Sequence, residues 1–122
     1  MDNTFKLYSV PLTAKGIWPD SKQTIKMLVE VKNLSGTGSE HYNNPHGYSS
    51  WKEFWIAKSG MTWPNKCAAS NCYQMPEVGA HVKKVNSFDS SWYIVPLCKR
   101  CNMRSYSFYV DEGLLVPLSD ED

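Results

Sequence analysis

The sequence lacks long hydrophobic runs, and none of its apolar stretches approaches the roughly 18 residues that a membrane span requires. Its first residues, MDNTFKLYSV, hold neither the basic region nor the apolar region of a secretory signal. It also has no internal repeat and no low-complexity tract, which argues against solenoid and fibrous architectures. We therefore predict a cytoplasmic protein without a membrane partner.

The chain also has little net charge, but the formal value of +1 hides an uneven distribution. Five of the 12 acidic residues stand among the last 12 positions, so the first 110 residues hold all 13 basic residues against seven acidic ones. With 122 residues, of which 42% are hydrophobic, the composition is that of one globular domain rather than of a disordered chain. The net charge of the whole chain favours no class of partner. Only a local excess of basic residues favours one.

Glycine, proline and polar clusters divide this single predicted domain, residues 1–122, into consecutive parts. In the first of them, apolar and polar residues alternate from Ile25 to Lys32 with the strand period of two, and a helix is the competing interpretation. The parts are an extended N-terminal part (1–35, with a further strand at 5–10), a polar loop (36–50), a helix (51–60), a cysteine-containing core (64–110) and a C-terminal strand with an acidic tail (111–122).

The ends of two of these parts carry recognisable signals. Ser50 and Glu53 fit a helix capping box, and Gly60 is placed to end the helix in the left-handed conformation. On that helix, Trp51, Phe54 and Trp55 share one face, which we interpret as core. Near the C-terminus, residues 106–110 and 114–118 flank Asp111-Glu112-Gly113, which predicts a terminal hairpin.

Four cysteines form the strongest motif, C-x4-C-x25-C-x2-C, made by Cys67, Cys72, Cys98 and Cys101. Two close pairs separated by a hairpin's length of chain are typical of a tetrahedral zinc site. The alternatives are two disulfides or free buried thiols, and the predicted cytoplasmic setting disfavours disulfides. We therefore predict a structural Zn²⁺, because four sulfur ligands leave no open position at which the metal could activate water.

The order of elements around the cysteines resembles that of a known family. A cysteine knuckle is followed by a strand that bears a histidine, Val78-Gly79-Ala80-His81-Val82, then by the apolar strand Trp92–Leu97 and by Cys98-Lys99-Arg100-Cys101-Asn102 opening a helix. Over residues 64–110 this order resembles the zinc-bearing HNH nucleases, the His-Me finger family. The resemblance implies an α+β fold, with a zinc-bound treble-clef (ββα-metal) core added to the N-terminal strands.

The resemblance also assigns catalytic positions. His81 corresponds to the general base, and Asn102 to a ligand of a catalytic Mg²⁺ or Mn²⁺. The family's other two positions depart from its pattern, because Ala80 stands where a metal ligand belongs and Tyr93 where an asparagine orients the base. Without a carboxylate ligand a divalent metal is poorly held, so the motif is degenerate. A neutral, hydrogen-bonded imidazole is the alternative interpretation of His81.

Two carboxylates near this motif are candidates to replace the missing ligand, Glu77 and Asp89. Glu77 lies on the same strand face as His81 but roughly 13 Å along an extended strand, which argues against it. Asp89 lies in the following loop and stays open as a ligand. His41 and His46 belong to the polar loop, where we expect them to be solvated.

A local excess of basic residues lies beside the cysteines, and we predict that it contacts nucleic acid. The alternative is that these residues are merely exposed and balance the charge of a zinc-tetrathiolate. The predicted contact residues are Lys83, Lys84, Lys99, Arg100 and Arg104.

The sequence thus predicts a zinc-stabilised HNH-like binding module without catalytic activity, which contacts nucleic acid or a protein that handles nucleic acid. One alternative is an active, metal-dependent HNH endonuclease or nickase with His81 as general base. The other is an inhibitor or adaptor that binds a protein partner through the acidic C-terminal residues and an aromatic surface.

Overall fold

A computed structural model describes residues 27–34 and 45–118, and the predicted strand at 5–10, most of the polar loop with His41, and the acidic end lie outside them. These residues form an α+β fold in which a five-stranded antiparallel sheet has the order β4-β1-β2-β3-β5. In the described part of the chain, no helix has the length and apolar content of a membrane span. The elements are β1 (Leu28–Asn33), α1 (Trp51–Ser59), β2 (Val78–Lys84), β3 (Trp92–Leu97), α2 (Lys99–Asn102), β4 (Phe108–Asp111), a 3₁₀ turn (Glu112–Leu114) and β5 (Val116–Pro117).

Strand β1 confirms the strand interpretation of the N-terminal alternation and excludes the helix for residues 28–33. Val31 is fully buried and Val29 packs against the same core cluster, as the period of two requires. The next inward position holds Asn33, a polar residue that is nevertheless buried. Because β1 lies between β4 and β2, it joins the N-terminal part to the cysteine-containing core.

Helix α1 begins and ends at the predicted capping residues. The Ser50 hydroxyl accepts a hydrogen bond from the Glu53 amide at 3.1 Å, and Gly60 adopts a left-handed φ of 72°. Phe54 and Trp55 are fully buried, which confirms that the aromatic face is core. The Trp55 indole N–H also donates to the Leu114 carbonyl at 2.8 Å, so the helix is tied to the 3₁₀ turn near the C-terminus.

The predicted terminal hairpin is wrong. Strand β4 pairs with β1 and strand β5 pairs with β3, so the two segments lie at opposite edges of the sheet. Between them the Asp111 carboxylate accepts from the Gly113 amide at 3.0 Å and starts a single 3₁₀ turn, which does not reverse the chain.

The two faces of the sheet carry different layers. On one face, Ala80 and Val82 of β2 pack in a core cluster with the four cysteines. On the other face, Ile94 of β3 packs with Phe54 and Trp55 of α1 in a second cluster. Because successive strand residues point to opposite faces, a residue between Ala80 and Val82 must face α1 and not the cysteines.

Helix α1 approaches β2 so closely that position 79 has room only for glycine. A Cβ on Gly79 would lie 2.7 Å from both the carbonyl carbon and the carbonyl oxygen of Trp51, and backbone atoms cannot rotate away. We therefore expect Gly79→Ala to lower the free energy of unfolding by about 1–3 kcal/mol through overpacking. Chemical denaturation measures this loss.

Gly113→Ala is the matched control for this change. Its Cβ would meet only the Asp111 side chain, at 3.4 Å, so we expect it to alter stability by less than about 0.5 kcal/mol. Equal denaturation midpoints for Gly79→Ala and the wild type would contradict the close contact between α1 and β2.

Candidate metal centre

The four cysteines predicted to bind metal come together in one buried cluster. Cys67 and Cys72 lie in the loop before β2, while Cys98 and Cys101 lie at the end of β3 and in α2. Their sulfur atoms all lie within 4.8 Å of one another, and each residue is at most 4% exposed. All four are free thiols, so the structure contains neither of the two alternative disulfides.

Backbone hydrogen bonds hold both cysteine pairs in position. The Cys98 amide points at the Cys67 sulfur at 3.3 Å, and the Cys101 amide points at the Cys98 sulfur at 3.4 Å, where Cys98 caps α2. The loop that carries the first pair is closed by two backbone hydrogen bonds. The Cys67 amide donates to the Gln74 carbonyl at 2.7 Å, and the Cys72 amide donates to the Ala69 carbonyl at 3.2 Å. These bonds aim the sulfur atoms at a common centre.

The cluster has the dimensions of a tetrahedral metal site. A Zn–S bond of about 2.3 Å places two sulfur ligands of a regular tetrahedron about 3.8 Å apart. The sulfur atoms of Cys72 and Cys98, one from each pair, are 3.8 Å apart. The four buried cysteines are therefore able to hold a metal ion such as zinc.

Burial and neighbouring groups change the acidity of three of these thiols. Burial raises the pKa of Cys67, and burial together with the charge of Cys67 raises that of Cys101. For Cys72, burial also opposes ionisation, but hydrogen bonds from the Gln74 amide and the neighbouring thiols outweigh it and lower the pKa to about 7. A bound cation would offset the burial and repulsion that oppose ionisation of Cys67 and Cys101.

Two polar residues that support the cluster were not assigned this role from the sequence. The Asn33 side-chain amide donates to the carbonyls of Cys101 and Arg104, at 2.9 and 3.0 Å. A residue of β1 thus provides hydrogen bonds to backbone carbonyls at and just after the end of α2. The Glu77 carboxylate accepts from the Lys99 amide at 3.0 Å at the start of the same helix. The available signal was an asparagine at an inward position of an alternating strand, which requires a buried hydrogen-bond partner.

The two predicted catalytic residues lie on different sides of the sheet. His81 is 7% exposed and faces α1, where its ring centroid lies 4.6 Å from that of Trp51 and 6.4 Å from that of Trp92. Burial lowers its pKa to about 4, so the imidazole is neutral at pH 7. Asn102, half-buried, belongs to α2 on the cysteine side.

Asp89, the open candidate for a metal ligand, is engaged elsewhere. It accepts a hydrogen bond from the Tyr93 hydroxyl, which is the main cause that lowers its pKa to about 2. Its carboxylate also lies 3.6 Å from the Lys84 ammonium, which in turn contacts Glu112 at 3.3 Å. The predicted contact residue Lys84 is therefore paired with two acids, whereas Lys83 on the other strand face is exposed.

The remaining predicted contact residues flank the cysteine cluster. Lys99 and Arg100 are exposed, and the Arg104 guanidinium lies over the rings of Tyr106 and Phe108, at 5.6 and 5.1 Å. An open groove of about 550 Å³ separates the two knuckles. The groove is lined by Gln74, Met75, Glu77, Cys98, Lys99 and Arg100.

We use the name knuckle surface for the accessible basic, aromatic and methionine residues that border the cysteines in sequence. The set includes Lys66 and Tyr73, whose side chains meet at 5.2 Å and which the sequence had not singled out. The knuckle surface consists of Lys66, Tyr73, Met75, Lys99, Arg100, Met103, Arg104 and Tyr106.

Comparison with known proteins finds no family model that matches the chain, and no curated protein or solved structure that matches it significantly. The metal centre and the surface around it are therefore the features from which a function is inferred.

Proposed function

We propose that the protein is a zinc-stabilised, HNH-like binding module that contacts nucleic acid through the knuckle surface and does not hydrolyse it. One observation carries this proposal: the cysteine cluster fixes the exposed Lys99 and Arg100 at the surface, whereas His81 is buried beneath α1 on the other side of the sheet.

The order and packing of elements support a treble-clef core. A cysteine loop, the hairpin of β2 and β3, and α2 opening between Cys98 and Cys101 follow one another in the order that the family resemblance implies. In this arrangement the ion joins two segments that contain little regular structure of their own. Zinc suits the site because four thiolates complete its preferred tetrahedron and close it to water.

Three features argue against hydrolysis. A general base must reach the water that it activates, but His81 is buried against Trp51, and burial lowers its pKa to about 4, which makes it a weak base at neutral pH. Ala80, where the family has a metal ligand, carries no donor atom and faces the cysteines. The two candidate substitutes have other partners: the Glu77 carboxylate accepts from the Lys99 amide of α2, and the Asp89 carboxylate contacts Tyr93 and Lys84.

Electrostatics favours a polyanion as the partner. The knuckle surface contains four cations, and Glu77, the acid in its groove, is engaged with the backbone of α2. With Glu77 counted, the four cations exceed the formal charge of −2 of a zinc-tetrathiolate by one positive charge. Clustered lysine and arginine side chains bind phosphates through Coulomb attraction and counterion release.

Charge reversal on this surface tests the proposal. We expect Lys99→Glu combined with Arg100→Glu to weaken nucleic-acid binding at least about tenfold and to reduce the salt slope by about two, since each phosphate contact contributes about 0.9. Fluorescence anisotropy at several salt concentrations measures both quantities. Wild-type protein with Mg²⁺ or Mn²⁺ is expected to leave supercoiled plasmid intact.

The matched control is Lys52→Glu combined with Lys58→Glu on α1, which makes the same change in net charge on the other side of the sheet. We expect it to reduce the affinity much less. Equal losses for the two double variants would contradict the proposed surface. Plasmid nicking that disappears in His81→Gln, at unchanged metal content, would instead establish the endonuclease.

A further inference from the structure

Four large apolar or aromatic side chains are left exposed next to the cysteine cluster. Tyr73 and Met75 follow Cys72 and are 77% and 67% exposed, while Met103 and Tyr106 follow Cys101 and are 79% and 64% exposed. The surrounding backbone is held by the hydrogen bonds of the two knuckles and by Asn33. Exposed tyrosine and methionine side chains on a backbone held in this way are available to contact a ligand.

Each of the two exposed tyrosines is paired with a cation. The Lys66 ammonium lies 5.2 Å from the centre of the Tyr73 ring, and the Arg104 guanidinium lies 5.6 Å from that of Tyr106. Each cation lies over one face of its tyrosine ring, so a base can stack on the opposite face while the cation meets the phosphate of that nucleotide. The knuckle surface holds two such pairs, one beside each knuckle.

Stacking of this kind requires unpaired bases. In a duplex the base faces are covered by their neighbours, and a tyrosine reaches them only if the duplex is opened. Helix α2 has four residues, one turn, and is too short to fill a major groove as a recognition helix does. We therefore propose, resting on the proposed function, that the knuckle surface binds single-stranded nucleic acid, with bases stacked on Tyr73 and Tyr106 and phosphates held by Lys66, Lys99, Arg100 and Arg104.

The two kinds of contact predict different losses on mutation. Stacking contributes about 1–3 kcal/mol per base and involves no counterion, so its removal lowers affinity without changing the salt slope. We expect Tyr73→Ala combined with Tyr106→Ala to remove both stacking contacts and so to weaken single-strand binding at least about 30-fold, at an unchanged salt slope. Tyr73→Phe combined with Tyr106→Phe keeps both rings and is expected to bind like the wild type.

The experiment measures fluorescence anisotropy of an oligothymidylate and an oligouridylate of about 12 nucleotides, against a blunt DNA duplex. Phe88→Ala is the matched control, because Phe88 is fully exposed on the loop between β2 and β3, away from the cysteines. Metal content and the melting temperature of each variant establish that it is folded. We expect both single strands to bind at least tenfold more tightly than the duplex.

The outcomes separate this inference from the proposed function. Duplex binding as tight as single-strand binding, with no effect of the tyrosine variants, would overturn the inference and leave the nucleic-acid module standing. Failure to bind any of the three oligonucleotides would overturn both. Preferential binding of a polyglutamate peptide, competed by none of the oligonucleotides, would also overturn both and favour an adaptor for acidic proteins.

Discussion

Removal of the metal is expected to unfold the protein. The cluster of buried residues on the cysteine side of the sheet includes all four cysteines, so the site lies inside the core rather than beside it. The loop from Cys67 to Gln74 has no strand or helix of its own, apart from a single bridge between Ala69 and Val110. Structural zinc contributes about 10–16 kcal/mol at neutral pH, whereas a domain of this size has about 5–15 kcal/mol of net stability.

Two measurements check this expectation on untagged protein. Elemental analysis is expected to return one zinc ion per chain, and a strong chelator is expected to abolish the cooperative thermal transition. Cys101→Ser, which removes a fully buried ligand, is expected to reproduce the effect of the chelator. Adding chelator to that variant should then cause little further change. Protein that contains no stoichiometric metal, or that melts at the same temperature with and without chelator, contradicts the zinc site.

Features governed by neighbours in sequence were predictable. The start and end of α1 depend on Ser50, Glu53 and Gly60, all within one turn of the residues that they cap, and both ends lie where the capping signals indicate. The cysteine cluster was predictable for a related reason. The two short cysteine spacings each define one knuckle, and a hairpin between the knuckles is enough to bring the four cysteines together.

Features governed by distant strands were not predictable. The two segments after Tyr106 have the spacing of a hairpin, yet they do not pair with each other. Strand β4 pairs with β1 and strand β5 pairs with β3, at opposite edges of the sheet. The sequence likewise shows that His81 and Ala80 face opposite ways, but not which face the cysteines cover. That choice depends on α1, whose Trp51 backbone fits against Gly79. Asn33 was missed because its partners lie about 70 residues away in the chain.

The packing of α1 makes His81 a source of acid sensitivity. Its imidazole packs against Trp51, the first residue of α1, with the two rings at 78° to each other. Burial is the cause of the low pKa of His81, about 4 against an ordinary 6.5. The unfolded chain therefore takes up a proton on this histidine at a higher pH than the folded protein does.

The sign of the effect follows from linkage: between pH 6.5 and pH 4 the unfolded state binds more protons, so acidification lowers the free energy of unfolding. From pH 7 to pH 5 the loss due to His81 is about 2 kcal/mol, and it approaches about 3 kcal/mol at lower pH. We expect denaturation of the wild type and of His81→Gln, both in excess zinc, to differ by this amount in their pH dependence. Zinc release affects both proteins alike, so the difference isolates the imidazole.

In NMR spectra, the histidine signal that is absent from His81→Gln should not shift between pH 5.5 and 8. Parallel stability curves, or titration of that signal near 6.5, would show that α1 does not bury a neutral His81.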